Sequence, residues 1–323
     1  MIASRLSLAL STGALTLPAG RVAVFAPPPG YDLSALPREA LTLVSHDAVA
    51  TAYWDAAGYE VARAATGAFA AALVVLPRAR AAQKALIAEA SALAPFVLVD
   101  GQKHDGVAAI LKAVKAEAVI SGSLAKAHGK MFWIEGAAFP DWAARETEID
   151  GFVTRPGVFS ADGPDKGSMA LAEVLPPLRG TIADLGAGWG FLARHILESD
   201  AVTRVHLVEA DAVALDCAKA NLADPRAQFH WADVTRWHPP ALLDNVVSNP
   251  PFHTGRAGDP GLGRAFIATA AEMLAPSGSF WMVANRHLPY EAELTAGFAQ
   301  VDEVGGTSGF KVIHARRPHR HKR

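Results

Sequence analysis

The stretch Asp184-Leu185-Gly186-Ala187-Gly188-Trp189-Gly190 lies between a short apolar run, Thr181-Ile182-Ala183, and a helix-like segment from Phe191 to Leu197. This is the setting of a strand-to-helix turn in an α/β sheet. Glycine at such a turn tolerates tight backbone angles and lets the main chain approach a ligand closely. The spacing is Gly-x-Gly-x-Gly, tighter than the Gly-x-Gly-x-x-Gly of dinucleotide binders, and an acid precedes it. A carboxylate there would repel a pyrophosphate, which disfavours a nicotinamide dinucleotide and suits the zwitterionic methionine end of S-adenosylmethionine.

The acids that follow agree with that cofactor. Glu209 closes the next strand, Val205-His206-Leu207-Val208, where a carboxylate can accept from both ribose hydroxyls. Asp233 follows Phe229-His230-Trp231, where a carboxylate can accept from an adenine amine. The candidate cofactor-binding set is Asp184, Gly186, Ala187, Gly188, Glu209, Ala210, Asp233, Val234 and Asn249.

After the strand candidate Leu243 to Ser248 comes Asn249-Pro250-Pro251-Phe252. Two prolines fix the backbone and remove two amide donors, so the Asn249 side-chain oxygen and a neighbouring carbonyl are left as rigid acceptors. An exocyclic amine on an aromatic ring is a poor nucleophile, since its lone pair is delocalised. Two acceptors on its hydrogens would hold the nitrogen and aim the lone pair at a sulfonium methyl, with no metal and no covalent intermediate. Asn249, Pro250 and Phe252 are the catalytic candidates, Phe252 as a face on which an extruded base can stack. Pro251, Phe252, His253 and Arg286 are the substrate-binding candidates. His253 reads either as a base or phosphate contact or as a solvated loop residue. Arg286, after Phe280-Trp281-Met282-Val283, reads as an RNA phosphate contact, with a surface ion pair as the alternative.

The same alternation of apolar runs and helical segments extends through the chain. Leu41 to Val44, Leu73 to Leu76 and Phe96 to Val99 are strand candidates of the first half, with helices at His46 to Ala57, Ala79 to Leu93 and Val107 to Val114. Helices are also expected at Ala212–Asn221 and Arg264–Leu274. A parallel sheet covered on both faces is expected in each half, giving two successive α/β domains, 1–150 and 151–315, with a basic tail at 316–323. Upstream, Leu15-Thr16-Leu17 and Val22-Ala23-Val24 around Pro18-Ala19-Gly20 read as a hairpin rather than a secretory signal.

A hydrophobic fraction of 51% in 323 residues supplies two cores. Residues 1–150 carry 13 basic against 14 acidic side chains and residues 151–323 carry 17 against 18, so neither half is a general electrostatic trap for nucleic acid. Arg316, Arg317, Arg320, Lys322 and Arg323 form a run without acids, either a solubilising tail or a phosphate-contacting arm. Cys217 is the only cysteine, which suits a reducing cytoplasm and excludes a cysteine metal cluster. No apolar stretch approaches the length of a membrane span.

Gly157-Val158-Phe159-Ser160, Asp165-Lys166-Gly167-Ser168, Asn249-Pro250-Pro251-Phe252-His253, Ala284-Asn285-Arg286-His287-Leu288-Pro289-Tyr290-Glu291 and Phe310-Lys311-Val312 together resemble, in order and spacing, the bacterial ribosomal RNA small subunit methyltransferase C family. The first half resembles it more loosely, through His128-Gly129-Lys130. The resemblance implies two tandem Rossmann-like methyltransferase-type domains. The C-terminal one would be a class I S-adenosylmethionine-dependent methyltransferase, and the N-terminal one a degenerate copy that helps hold RNA. It further implies methylation of a guanine N2 amine in 16S ribosomal RNA, within the small subunit or an assembly intermediate, and no metal. Asn-Pro-Pro-aromatic sites also serve other ribosomal guanines, adenine N6 and protein glutamine. A non-catalytic RNA-binding factor on a decayed scaffold is the other alternative, against which Asp184, Glu209, Asp233 and Asn249 are all present.

Overall fold

All four residues of Val22–Phe25, strand β1, are buried, which places this run inside a sheet covered on both faces. The computed structural model describes residues 4–251 and 260–319. The chain divides into two compact units, Met1–Glu146 and Thr147–Arg323.

In the first unit β1 follows helix α1 (Arg5–Ser11) and precedes β2 (Leu41–Val44), α2 (Ala48–Ala56), β3 (Glu60–Ala62), β4 (Ala71–Val75), α3 (Arg80–Leu93), β5 (Phe96–Gln102), α4 (Val107–Glu117), β6 (Gly122–Lys126) and β7 (Gly129–Glu135). The strand order is β3-β2-β1-β4-β5-β7-β6. Strands β1 to β5 pair in parallel, whereas β7 runs antiparallel to both β5 and β6. Helices start where side chains meet the free amides of a first turn: Asp47 caps α2 by accepting from the Ala50 N–H at 2.7 Å.

The hairpin expected around Pro18-Ala19-Gly20 does not form. Val24 lies opposite Leu43 on one side and Leu73 on the other, and the residues upstream form α1, with Leu6 and Ala9 buried. An apolar run covered on both faces excludes more water in a central strand than in an isolated two-stranded ribbon, which is marginal in water. The sheets are also mixed rather than wholly parallel, because the hairpin β6–β7 turns back through Ala127 and His128, both at positive φ.

The second unit opens with the hairpin β8 (Thr147–Ile149) and β9 (Phe152–Thr154), then α5 (Lys166–Val174), β10 (Gly180–Leu185), α6 (Phe191–Ile196), β11 (Val202–Glu209), α7 (Ala212–Asn221), β12 (Ala227–Trp231), β13 (Leu243–Ser248), α8 (Pro260–Met273), β14 (Leu274–Asn285), α9 (Glu291–Gly297), β15 (Phe298–Gly306) and β16 (Phe310–Pro318). Its strand order, β12-β11-β10-β13-β14-β16-β15, repeats that of the first unit strand for strand. The two units are therefore tandem copies of one α/β architecture. The division falls a few residues before the boundary read at 150/151, because Asn221 of α7 accepts from the Val153 N–H and donates to its carbonyl, tying the hairpin to the second unit. Strand β16 runs to Pro318, so Arg316 and Arg317 belong to the sheet, with Arg316 paired to Asp302, and not to a tail. Arg320, Lys322 and Arg323 lie outside the described residues. No helix among the described residues is long and apolar enough to cross a membrane.

The repeat also shows where a counterpart of the Gly186–Gly190 turn would lie in the first unit. The stretch Leu98 to Gln102 is β5, the counterpart of β14, whereas the counterpart of β10 is β1. After β1 come Ala26, Pro27, Pro28 and Pro29, and three prolines have no N–H with which to cradle a ligand. In this unit a buried carboxylate is neutralised internally: Arg5 of α1 donates from Nε to Asp100 Oδ1 at 2.5 Å and the Tyr31 hydroxyl donates to Asp100 Oδ2 at 2.7 Å. Burial, then the Asp100 charge, pushes the Tyr31 hydroxyl well above its ordinary range. Replacing Arg5 by Met removes one partner of a buried pair and is expected to destabilise the protein by about 3–5 kcal/mol. Urea unfolding midpoints measure it, and a loss within the ordinary scatter of surface substitutions would refute the role given to this pair.

Candidate active site

Strand order reverses between β10 and β13, and the carboxyl ends of strands at such a point frame a crevice. Gly186, Gly188 and Gly190 leave β10 at φ values of +74°, +56° and +93°, a region that side chains with a Cβ rarely occupy. The Gly186 N–H donates to the Val208 carbonyl at 2.8 Å, folding the turn across the end of β11. Glu209 at that end accepts from the Gly188 N–H and, through its other oxygen, from the Asp211 N–H, each at 2.8 Å. A carboxylate has about four lone-pair positions, so two amides leave it capacity for hydroxyl donors.

Asp184 is fully buried beneath the turn, and among the described residues no side chain donates to either of its oxygens, the Ala193 backbone amide being the one donor that favours its charged form. Burial, and after it the Glu209 charge, pushes its carboxyl up to about 7, with the Ala193 amide a partial offset. Burial likewise pushes Glu209 up to about 7 against the backbone amides of Asp211, Gly188 and Ala210, which favour its charged form. Two carboxyls held this way form a place where a positive group would be strongly stabilised.

Register places Leu185 opposite Ser248, so the next residues on each strand, Gly186 and Asn249, face one crevice. Both line a pocket with Ala187, Gly188, Trp189 and Asp165. The Asn249 amide donates from Nδ2 to Asp165 Oδ2 at 2.8 Å and to Ser168 Oγ at 2.9 Å. Pro250 is buried and Pro251 exposed. Phe252 and His253, named as catalytic and substrate candidates, lie outside the described residues.

Asp233 uses Oδ1 to accept from the Thr235 N–H and hydroxyl, and its Oδ2 stands 3.9 Å from Arg236. The Ala210 carbonyl accepts from Trp231 Nε1, and Val234 is buried in the core with Phe266. Glu209, Ala210, Asp233 and Val234 thus line neighbouring strand ends rather than the pocket around Asn249. Arg286 has a protein partner: it donates to Glu303 at 2.8 Å and to the Thr307 carbonyl at 2.8 Å, the surface ion pair that the sequence reading ranked second.

Sequence reasoning gave no site role to Phe159, Ser160, Asp165, Ser168 and Trp189, all of which line the pocket. Trp189 Nε1 donates to the Phe159 carbonyl at 2.9 Å, which pins the loop before α5 against the glycine turn. Phe159 itself is 65% exposed. In the sequence, Asp165-Lys166-Gly167-Ser168 stands only as a motif of the family resemblance; in the structure Asp165 is the N-terminal cap of α5.

A family model described as the methyltransferase small domain matches residues 150–314, just over half of the chain. The chain belongs to the methyltransferase small-domain family. It is 32% identical over 158 residues to a ribosomal RNA small subunit methyltransferase C of Shewanella sp. (strain MR-4), covering 48% of this chain and 46% of that protein. Against the same-named protein of Acinetobacter baylyi it is 34% identical over 167 residues, covering 50% and 49%. The match spans about half the length of these curated relatives. Among solved structures, the T. thermophilus 16S rRNA N2 methyltransferase in complex with AdoMet and guanosine matches with a TM-score of 0.77 at 26% identity, over 94% of this chain and 90% of that one. The motif resemblance to the methyltransferase C family and the tandem architecture are borne out by these matches.

The two raised carboxyls carry a sign. Their contribution to folding is fully present below the ordinary carboxylate range and is lost as pH rises through about 7, where the folded protein must ionise them. Asp184→Asn removes the charge and keeps the shape. In the ligand-free protein this variant is expected to gain stability relative to wild type, by on the order of a few kcal/mol, between about pH 5 and about pH 8. Denaturation midpoints at the two pH values check it; parallel pH dependences would show that Asp184 does not ionise late.

Proposed function

We propose that this chain transfers a methyl group from S-adenosylmethionine to the exocyclic N2 amine of a guanine in 16S ribosomal RNA. The observation that carries the reading is the juxtaposition of the Gly186–Gly190 turn with Asn249 in one crevice, above a buried carboxyl that no side chain neutralises. The residues fit the cofactor. Gly188 leaves open space beside the backbone for close approach, Asp184 and Glu209 favour its positive groups, and Glu209 and Asp233 retain acceptor positions for ribose and adenine. When bound, S-adenosylmethionine supplies an electrophilic methyl group on a sulfonium.

The chain's own part is to hold the nucleophile. Asn249 accepts one hydrogen of the amine through Oδ1, and Pro250 and Pro251 keep the adjacent backbone rigid, which raises the fraction of encounters with the nitrogen lone pair in line. Guanine as the base is supported by the likeness, over about nine tenths of both chains, to an enzyme solved with AdoMet and guanosine. Ribosomal RNA is supported by the names of the curated relatives. Neither half of the chain is basic, so recognition rests on a shaped surface, a small subunit or an assembly intermediate in the cytoplasm, in which the target base is already partly open. Residues 1–146 then contribute grip on flanking RNA rather than chemistry.

With Asn249 assigned to the target amine rather than to the cofactor, Asn249→Ala is expected to keep cofactor affinity within about twofold and to lower the methyl-transfer rate by on the order of 10²–10³, since the lost interaction acts in the chemical step. Calorimetry and single-turnover kinetics measure the two separately, and an active variant would sink the mechanism. Mass mapping of ribosomal RNA from cells with and without the gene should show one N2-methylguanosine of 16S RNA appearing with it. A methyl group lost instead from 23S RNA, from adenine or from protein would reassign the substrate.

A further inference from the structure

Asn249 is the residue on which the proposed chemistry turns, and an asparagine amide is two-sided: its oxygen accepts and its nitrogen donates. A freely rotating Asn249 would present either side to the crevice, and would welcome a carbonyl or a ring nitrogen as readily as an amine. The structure removes that freedom. One hydrogen of Nδ2 goes to Asp165 Oδ2 at 2.8 Å and the other to Ser168 Oγ at 2.9 Å. A carboxylate only accepts, so the atom facing Asp165 must be the nitrogen, and the orientation of the amide follows from chemistry rather than from a choice between two similar ends.

Asp165 is itself held. The same Oδ2 that takes the Asn249 hydrogen accepts from the Gly167 N–H at 2.8 Å and the Ser168 N–H at 3.0 Å, the first-turn amides of α5. Ser168 is 8% exposed, and α5 packs on β14, β15 and β16 of the same sheet. The orientation of Asn249 is thus anchored by a helix start rather than by a mobile side chain. With both N–H groups taken, Oδ1 is the part of this amide left for substrate, and it can only accept.

We infer that Asp165 and Ser168 are positioning residues that lock the Asn249 amide with its oxygen toward the site, so that the site selects a methyl acceptor carrying an N–H and rejects one that offers only lone pairs. The inference rests on the methyltransferase reading for its substrate half. Its geometric half stands on the hydrogen bonds alone.

Two substitutions separate positioning from mere folding. Ser168→Ala deletes one acceptor and leaves the backbone N–H on Asp165. Asp165→Ser keeps a good helix cap but is too short to reach Asn249 as well. Each is expected to lower kcat by about 10- to 100-fold, with S-adenosylmethionine affinity within about twofold of wild type. Asp165→Asn, whose amide oxygen can receive the same three donors, should restore most of the rate lost in Asp165→Ser. In an Asn249→Ala background neither change should cost anything further, because a residue acting through Asn249 has nothing left to position. An undiminished kcat in both variants, or the same loss repeated in that background, would overturn the inference.

A second readout needs no activity. With asparagine selectively labelled with ¹⁵N, the Asn249 side-chain NH₂ pair, assigned by its absence in Asn249→Ala, should exchange slowly with solvent in wild type and lose that protection in Ser168→Ala and Asp165→Ser. An unprotected pair in wild type would overturn the lock. A protected pair in a protein that methylates no RNA would support the lock and count instead against the proposed function.

Discussion

Strands β10 and β13 pair in parallel, Asp184 opposite Val247 and Leu185 opposite Ser248, although four other elements lie between them in the chain. From β10 the sheet grows one way through β11 and β12, and from β13 the other way through β14. Connections therefore leave the two strand ends in opposite directions, and no backbone has to cross the gap between them. The glycine turn and Asn249 meet in that gap. Register does the rest: because side chains alternate along a strand, a slip of one residue would turn Asp184 away from the turn and carry Asn249 out of line with Gly186.

The two units share this architecture and differ in how they treat a buried acid. In the first unit Asp100 is satisfied within the protein, by the Arg5 guanidinium and the Tyr31 hydroxyl. In the second, Asp184 is equally buried and has no such partner. An uncompensated carboxyl is costly to a ligand-free fold, and such a cost persists where a ligand offsets it. Three prolines after β1 and three glycines after β10 make the same contrast in the backbone, one stiff and poor in donors, the other open to close approach. The same strand order thus holds one buried acid that is neutralised by side chains and one that is not.

Around the site, the polar contacts run between elements rather than along them. Trp189 reaches the Phe159 carbonyl, Glu209 reaches the Gly188 amide, and Asn249 reaches Asp165 and Ser168. Each of these bonds fixes a loop, a turn or a side chain that glycine or a strand end would otherwise leave free.

What the sequence determined by itself was whatever depends on neighbours in the chain. The turn at Gly186–Gly190, the acids at the ends of β11 and β12, and the rigid Asn249-Pro250-Pro251 stretch were legible because spacing and residue type set their geometry locally. Most strands and helices were legible for the same reason, through period and caps. The tertiary structure alone decided that Val22–Phe25 is a central parallel strand rather than half of a hairpin, since an apolar run does not reveal how many partners it will have. It alone turned Arg286 toward Glu303 and drew Arg316 into β16. It alone, too, brought Asp165, the N-terminal cap of α5, onto the amide of Asn249, because a hydrogen bond between residues more than eighty positions apart leaves no periodicity in the chain and exists only once the sheet has assembled.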